Sequence, residues 1–480
     1  MSPVVLFFYV LAYFIILLAV AWYTGRNSNN ESFFIGNRNS NWILVAFGMI
    51  GTSLSGVTFV SVPGAVAKDA FSYFQITLGY LIGYVVISFV LLPMYYRLQL
   101  TSIYHFLNGR LGIYSYKTGA SFFILSRTLG ATARLYLVVK ILQDAILSNL
   151  GIPFWATTFI ILAMIILYTY QGGVKTIVWT DTLQTTCMLL GLIVCVVYIL
   201  KTLHLSVFQS LDAMEKRGYT QIFSTNPDSK LYYIKQLLAG IFISITMTGM
   251  DQEMMQKNIS VKKLGDSQKN VMTMASIMLI VILFFLFLGG LLLLFAQQNN
   301  ISATGDKLFP TIALNYMPPV VGIIFIIALI SALFPSADGA ITALTSSFCI
   351  DILAINRREG WSEKRKTRTR HIVHLSFALL FLFFVMVYKW ANNPSMIGVI
   401  LKVAAYTYGP LLGLFTFSIL TKKAVKDQFV PIICIISPIL CFILDKYQQY
   451  LFGKFEIGLE LLIINGLITF LGLMLITDRK

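Results

Sequence analysis

Charge and histidine are both scarce in this chain, and each shortage excludes a class of protein. Asp, Glu, Lys and Arg make up 12% of the 480 residues, against 57% hydrophobic ones, and the mean hydropathy is +0.79. So little charge cannot solvate a water-facing globule of this size, and the composition is that of a polytopic membrane protein. The four histidines, His105, His204, His371 and His374, supply no catalytic constellation for a membrane-embedded enzyme. His371 and His374 share a helix face at the start of a span, a placement that more often marks an interface than a metal site. Five cysteines, Cys187, Cys195, Cys349, Cys434 and Cys441, sit singly inside apolar segments, so neither a disulfide framework nor a zinc site is indicated. Acidic residues number 20 against 36 basic ones, a net charge of +16. The surplus lies between apolar spans, which fits topology and contact with anionic lipid better than nucleic acid. The continuous polar stripe or charged ring of a channel is also missing.

Long apolar runs are what remain. They place spans near residues 3–23, 41–68, 72–96, 114–147, 153–171, 178–201, 233–252, 271–297, 319–348, 371–390, 395–420, 428–445 and 457–476. The first of these lacks a basic leader and is too long for a signal peptide, so it reads as a retained span. The densest basic loop, residues 357–370, is placed in the cytoplasm by the positive-inside rule. With thirteen spans the N-terminus then lies outside and Asp478-Arg479-Lys480 inside a cell inner membrane or plasma membrane. Arg26, Arg38, Lys257, Lys262, Lys263, Lys269, Lys422 and Lys423 fall on the inner side as well, while residues 202–232 form the longest external loop.

Two spans are interrupted where an uninterrupted helix would be cheapest. In the second, Gly51-Thr52-Ser53-Leu54-Ser55-Gly56 is built from helix-weakening and hydroxyl residues; in the seventh, Ser244 through Gly249 breaks an apolar run. Backbone that unwinds within a bilayer is tolerated only where protein, water or an ion satisfies it. Two such spans at matching places in two halves point to the binding site of a transporter. Five spans separate the two half-starts, and an odd number inverts the second half. The expected fold is therefore all-α, about 13 transmembrane helices, with spans 2 to 6 and 7 to 11 as inverted repeats. In residues, 1–40 are a leading helix and cytoplasmic loop, 41–201 the first repeat, 202–232 the external loop, 233–420 the second repeat, and 421–480 two trailing helices.

Four stretches carry a more specific signal: Gly172-Gly173 followed by Trp179-Thr180-Asp181-Thr182-Leu183-Gln184; Ser55-Gly56 before Pro63-Gly64-Ala65-Val66; Gly249-Met250-Asp251-Gln252 with Gln256 and then Asp266 through Lys269; and Ser331 through Ala343, closing on Cys349 through Leu353. Together they resemble the sodium/solute symporter family, from about residue 3 to residue 425. That resemblance implies a LeuT-type fold, alternating access and sodium-driven transport, with Na+ as the only cofactor. By motif position, sodium would lie between the carbonyls of Gly51 and Leu54 on the second span and Ala332, Pro335 and Ser336 on the ninth. Unwound carbonyls and hydroxyls suit a hard cation. The chain departs from the family at Pro335, where a hydroxyl is usual; Ser336, Thr342, Ser53 or Asp338 would have to compensate. Ser336 also has a plainer reading, a hydroxyl bonded back to its own helix. Asp181 resembles the acid of a second sodium site, yet Asp181 to Gln184 equally fits a capping box at a helix start.

The substrate is argued from polar groups converging on the breaks. Ser53, Ser55 and Thr58 share one side of the second span, Gln75 lies early in the third, and Arg127 and Arg134 lie seven residues apart on one face of the fourth. An unpaired arginine in a span costs roughly 3 kcal/mol by insertion scales, so each needs a partner. Asp338 or a backbone carbonyl is the plain partner; a substrate carboxylate gripped bidentately is the other. Arg134, Ser53, Ser55, Thr58 and Gln75 resemble the pocket of the bacterial sialic-acid members of the family. Lys402 stands where sugar-transporting relatives contact substrate, but it is roughly 10 Å from the outer end of its helix and could snorkel to the interface. Met247 stands where sugar transporters place an aromatic gate. The sequence therefore leads to a sodium-coupled symporter of a small carboxylated solute such as sialic acid, with a neutral sugar or polyol, or a proton-coupled carrier, as alternatives.

Overall fold

The computed structural model describes residues 3–26, 30–170, 173–358, 360–391 and 396–477. Gly172 of the glycine turn, Glu359 of the basic loop and the terminal Asp478-Arg479-Lys480 lie outside them. Among the described residues, eight helices are long and apolar enough to span a bilayer. Three more spans are bent pairs, and two shorter apolar helices, Phe154–Thr169 and Leu461–Leu475, complete the series that hydropathy anticipates.

The second span is Trp42–Ser53 and Gly56–Asp69, bent by 54°, and the seventh is Tyr233–Gly249 and Gln252–Ile259, bent by 64°. The eleventh, Met396–Thr407 and Gly409–Leu420, bends by 44° and was not anticipated as a break. Its cause is local: Pro410 has no N–H, which frees the carbonyl four residues back. That carbonyl, of Tyr406, accepts from Asn465 Nδ2 at 2.9 Å, and Ala405 O accepts from the same amide at 3.0 Å. The trailing helix thereby clamps the bend.

Small residues set the closest crossing. Gly79 on the third span and Gly240 on the seventh meet backbone to backbone, and a Cβ on either would strike the other helix. The leading helix Pro3–Thr24 is tied to the ninth span, Pro319–Ser347, where Ser331 Oγ donates to Tyr13 Oη at 2.6 Å. The loop after the sixth span folds into a short helix, Val207–Glu215, capped reciprocally by Ser206 and Gln209.

Candidate functional site

The two breaks are satisfied in different ways. At the first, Leu54 (φ −91°, ψ 72°) leaves the helix, and its N–H donates to Ile50 O at 2.7 Å. Among the described residues, no side chain donates to the buried carbonyls of Gly51 or Leu54. At the second, the chain departs at Met250 and Asp251, later than the Ser244–Gly249 run suggests, because residues Ile245–Gly249 continue as a π-helical turn. Tyr95 Oη donates to Gly249 O at 2.8 Å and Tyr104 Oη to Met250 O at 2.9 Å, while Asp251 Oδ1 accepts from Glu253 N at 2.9 Å. Protein groups close the second break, whereas the first presents free oxygens among the described residues.

Those oxygens fit a sodium ion. Gly51 faces the ninth span at Pro335, and Thr185 Oγ1, beside Gly51, is buried with no hydrogen-bond partner. Ala332 and Ser336 are buried on that span; Ser336 Oγ donates to Leu333 O at 2.8 Å, which leaves its lone pairs available. The back-bonded reading of Ser336 and the ligand reading are therefore compatible. Pro335 can offer only its carbonyl, 3.5 Å from Thr52 Oγ1.

Above the first break lies a chamber of about 100 Å³, lined by Ser53, Ser55, Thr58, Arg134, Thr248 and three phenols, Tyr73, Tyr80 and Tyr84. Tyr73, Ile397 and Leu401 separate it from a vestibule of about 830 Å³ on the side of the 202–232 loop. Burial holds the Asp306 carboxyl, on the vestibule wall, above its ordinary range, with the Ser61 hydroxyl and Met396 N–H opposing.

Both arginines line the chamber, but their partners differ. Arg127 is buried and pairs with Glu253, with Asp251 Oδ2 at 3.8 Å; Tyr408 Oη donates to that same oxygen at 2.6 Å. Arg134 faces the chamber and makes no hydrogen bond or ion pair with a described residue. Asp338 partners neither; it accepts from Tyr168 Oη at 2.6 Å.

Three expected site residues lie elsewhere. Gln75 is fully buried outside the chamber, donating to Ser72 O and Leu231 O and accepting from Ser224 N, so it anchors the external loop. Lys402 is 60% exposed on the vestibule wall and pairs with Asp445 at 2.6 Å. Asp181 is not a cap, since it lies in the third turn of Val174–Leu203; Lys257 Nζ is 2.7 Å from its Oδ2, while its Oδ1 is buried with no hydrogen-bond partner. Lys257 had been assigned to a cytoplasmic loop by its charge; it is buried. The three phenols and the Asp251–Glu253–Lys257 cluster escaped the sequence reading. The spacing of four between Glu253 and Lys257 was the available signal. His374 is buried between Thr169 and Thr345, each 3.0 Å away, at a helix interface.

A helical bundle with a bent span in each half, a cation-ready break and a polar chamber beside it defines a membrane transporter of small solutes. A model of the Sodium:solute symporter family matches residues 33–427. The chain belongs to that family: it is a sodium-coupled symporter, not an enzyme, and its fold is the LeuT-type inverted repeat. Over 428 residues it is 23% identical to the sodium/sialic acid symporter NanT of Aliivibrio fischeri, covering 86% of this chain and 82% of that one. It is 24% identical to the mouse sodium-coupled monocarboxylate transporter 1, covering 83% of this chain and 66% of that one. A solved Na+-coupled sialic acid symporter superposes with a TM-score of 0.85 over 99% of both chains at 18% identity, a likeness of fold.

Proposed function

We propose that this chain imports a small carboxylated solute, sialic acid first among candidates, with sodium at the Gly51–Leu54 break steadying the chamber that receives it. The observation that carries this reading is Arg134, a guanidinium lining the chamber with no ion-pair partner among the described residues. A cation left unpaired within a bilayer is costly, and a carboxylate answers it with two parallel hydrogen bonds. Ser53, Ser55, Thr58 and the three phenols then supply donors and acceptors for hydroxyl or amide groups of the solute. Similarity to symporters of sialic acid and of monocarboxylates supports an acid over a neutral sugar. Orientation follows from the basic loop: the vestibule side is external and residues 357–370 are cytoplasmic.

The test is uptake by reconstituted protein of N-acetylneuraminate and, separately, of a neutral hexose. Arg134→Ala abolishes acid uptake while leaving any hexose uptake unchanged. Undiminished acid uptake would reject the role of Arg134 and with it the carboxylate reading.

A further inference from the structure

Lys257 occupies a place where charge is hard to keep. It lies on Gln252–Ile259, the inner half of the seventh span, and its side chain is 3% exposed. Its ammonium donates to Thr52 Oγ1 at 2.6 Å and to Asp181 Oδ2 at 2.7 Å, with Glu253 Oε1 at 3.7 Å. These partners come from the first broken span, the sixth span and Lys257's own helix. Two glycines, one on the ninth span and one on the helix of Thr52 itself, leave the room. A Cβ on Gly339 of the ninth span would lie 3.2 Å from Lys257 Nζ, and one on Gly48 would lie 3.1 Å from Asp181 Cβ. The cradle is thus a hydroxyl and two carboxylates around the Lys257 ammonium, the second carboxylate, Glu253, shared with Arg127; it is the donor set a sodium ion would use, filled instead by a side chain.

We propose that Lys257 is a tethered cation. It takes the position between Thr52 and Asp181 that an exchangeable second ion would otherwise fill, so that one sodium, at the neighbouring Gly51–Leu54 break, is the whole exchangeable complement. The inference rests on the sodium-coupled reading of that break. Its physical content is that a buried Asp181 needs a positive charge beside it, and a covalently held one neutralises it in every cycle without crossing the membrane. The tether also joins the two broken spans directly, since Lys257 and Thr52 belong to one each. A loose ion would leave that link dependent on sodium concentration; the lysine keeps it at any sodium concentration.

Removing the side chain should convert the cradle into an ion site, because Asp181 Oδ1 and Glu253 Oε1 are buried with no hydrogen-bond partner and Thr52 Oγ1 would be released. The experiment is equilibrium binding of 22Na+ to the purified full chain, with no solute present. Wild type should bind about one sodium per chain, Lys257→Ala about two, and Lys257→Ala with Asp181→Asn about one again. The increment between wild type and Lys257→Ala tests the tether, and the wild-type count tests the sodium break, so the two readings fail separately. A folded Lys257→Ala protein that binds no more sodium than wild type overturns the proposal. Should that variant not fold, Lys257→Ser is read by the same increment, and about two sodium ions per wild-type chain overturns the proposal whichever variant folds.

Discussion

At the residue scale, two arginines on one helical face have been given opposite tasks by their neighbours. Arg127 neutralises Glu253 and Asp251 inside the protein, and removing one member of a buried pair costs about 3 to 5 kcal/mol because the remaining charge is stranded. Arg127→Ala should therefore lower the melting temperature sharply in detergent, read by intrinsic fluorescence. Arg134→Ala should leave that temperature unchanged or raise it, since among the described residues Arg134 has no partner to strand. A large loss of stability in Arg134→Ala would mean that it is structural. Spacing placed both residues on one face correctly, but the partner of Arg127, Glu253, lies 126 residues later in the chain, a relation that one-dimensional pattern does not carry. The same limit explains Gln75, whose position suggested a pocket and whose amide holds a loop. Lys402 pairs at the surface, where such pairs contribute about 0 to 1 kcal/mol, so Lys402→Ala should leave transport near wild type in an uptake assay.

At the element scale, the broken second span was legible because Gly51 to Gly56 combines weak helix formers with hydroxyls in a run that must cross a bilayer. The seventh was legible as an interruption but misplaced by a few residues, because a π-helical turn absorbs Ile245–Gly249 before the chain turns at Met250. The eleventh was missed: Gly409-Pro410 looks like a modest kink until Asn465 is found clamping the freed carbonyls. The close crossing of the third and seventh spans tolerates no side chain. Gly240→Val should push the two apart and cut the yield of folded protein severalfold, measured by size-exclusion chromatography. On the ninth span, Pro335→Ser returns a hydroxyl to the sodium break. The sodium concentration giving half-maximal uptake should fall, and an unchanged value would show that position 335 does not face the ion.

At the scale of the whole molecule, Tyr73, Ile397 and Leu401 lie between the chamber and the vestibule, and the chamber lining also includes Arg127 and Thr52, which touch the buried Glu253 and Lys257 respectively. On the proposed reading, sodium at the first break would stiffen the same turn that carries Ser53 and Ser55, and each ligand would then raise the other's affinity by the same factor. The overall fold was readable from hydropathy because the bilayer allows few solutions for so apolar a chain. The charge network was not, because buried lysine and acid look like loop residues when counted by type. The most direct test is uptake of radiolabelled N-acetylneuraminate into proteoliposomes under an inward sodium gradient, compared with choline in its place. Accumulation above equilibrium with sodium and none with choline is the predicted result; equal uptake in both would contradict the sodium-coupled account.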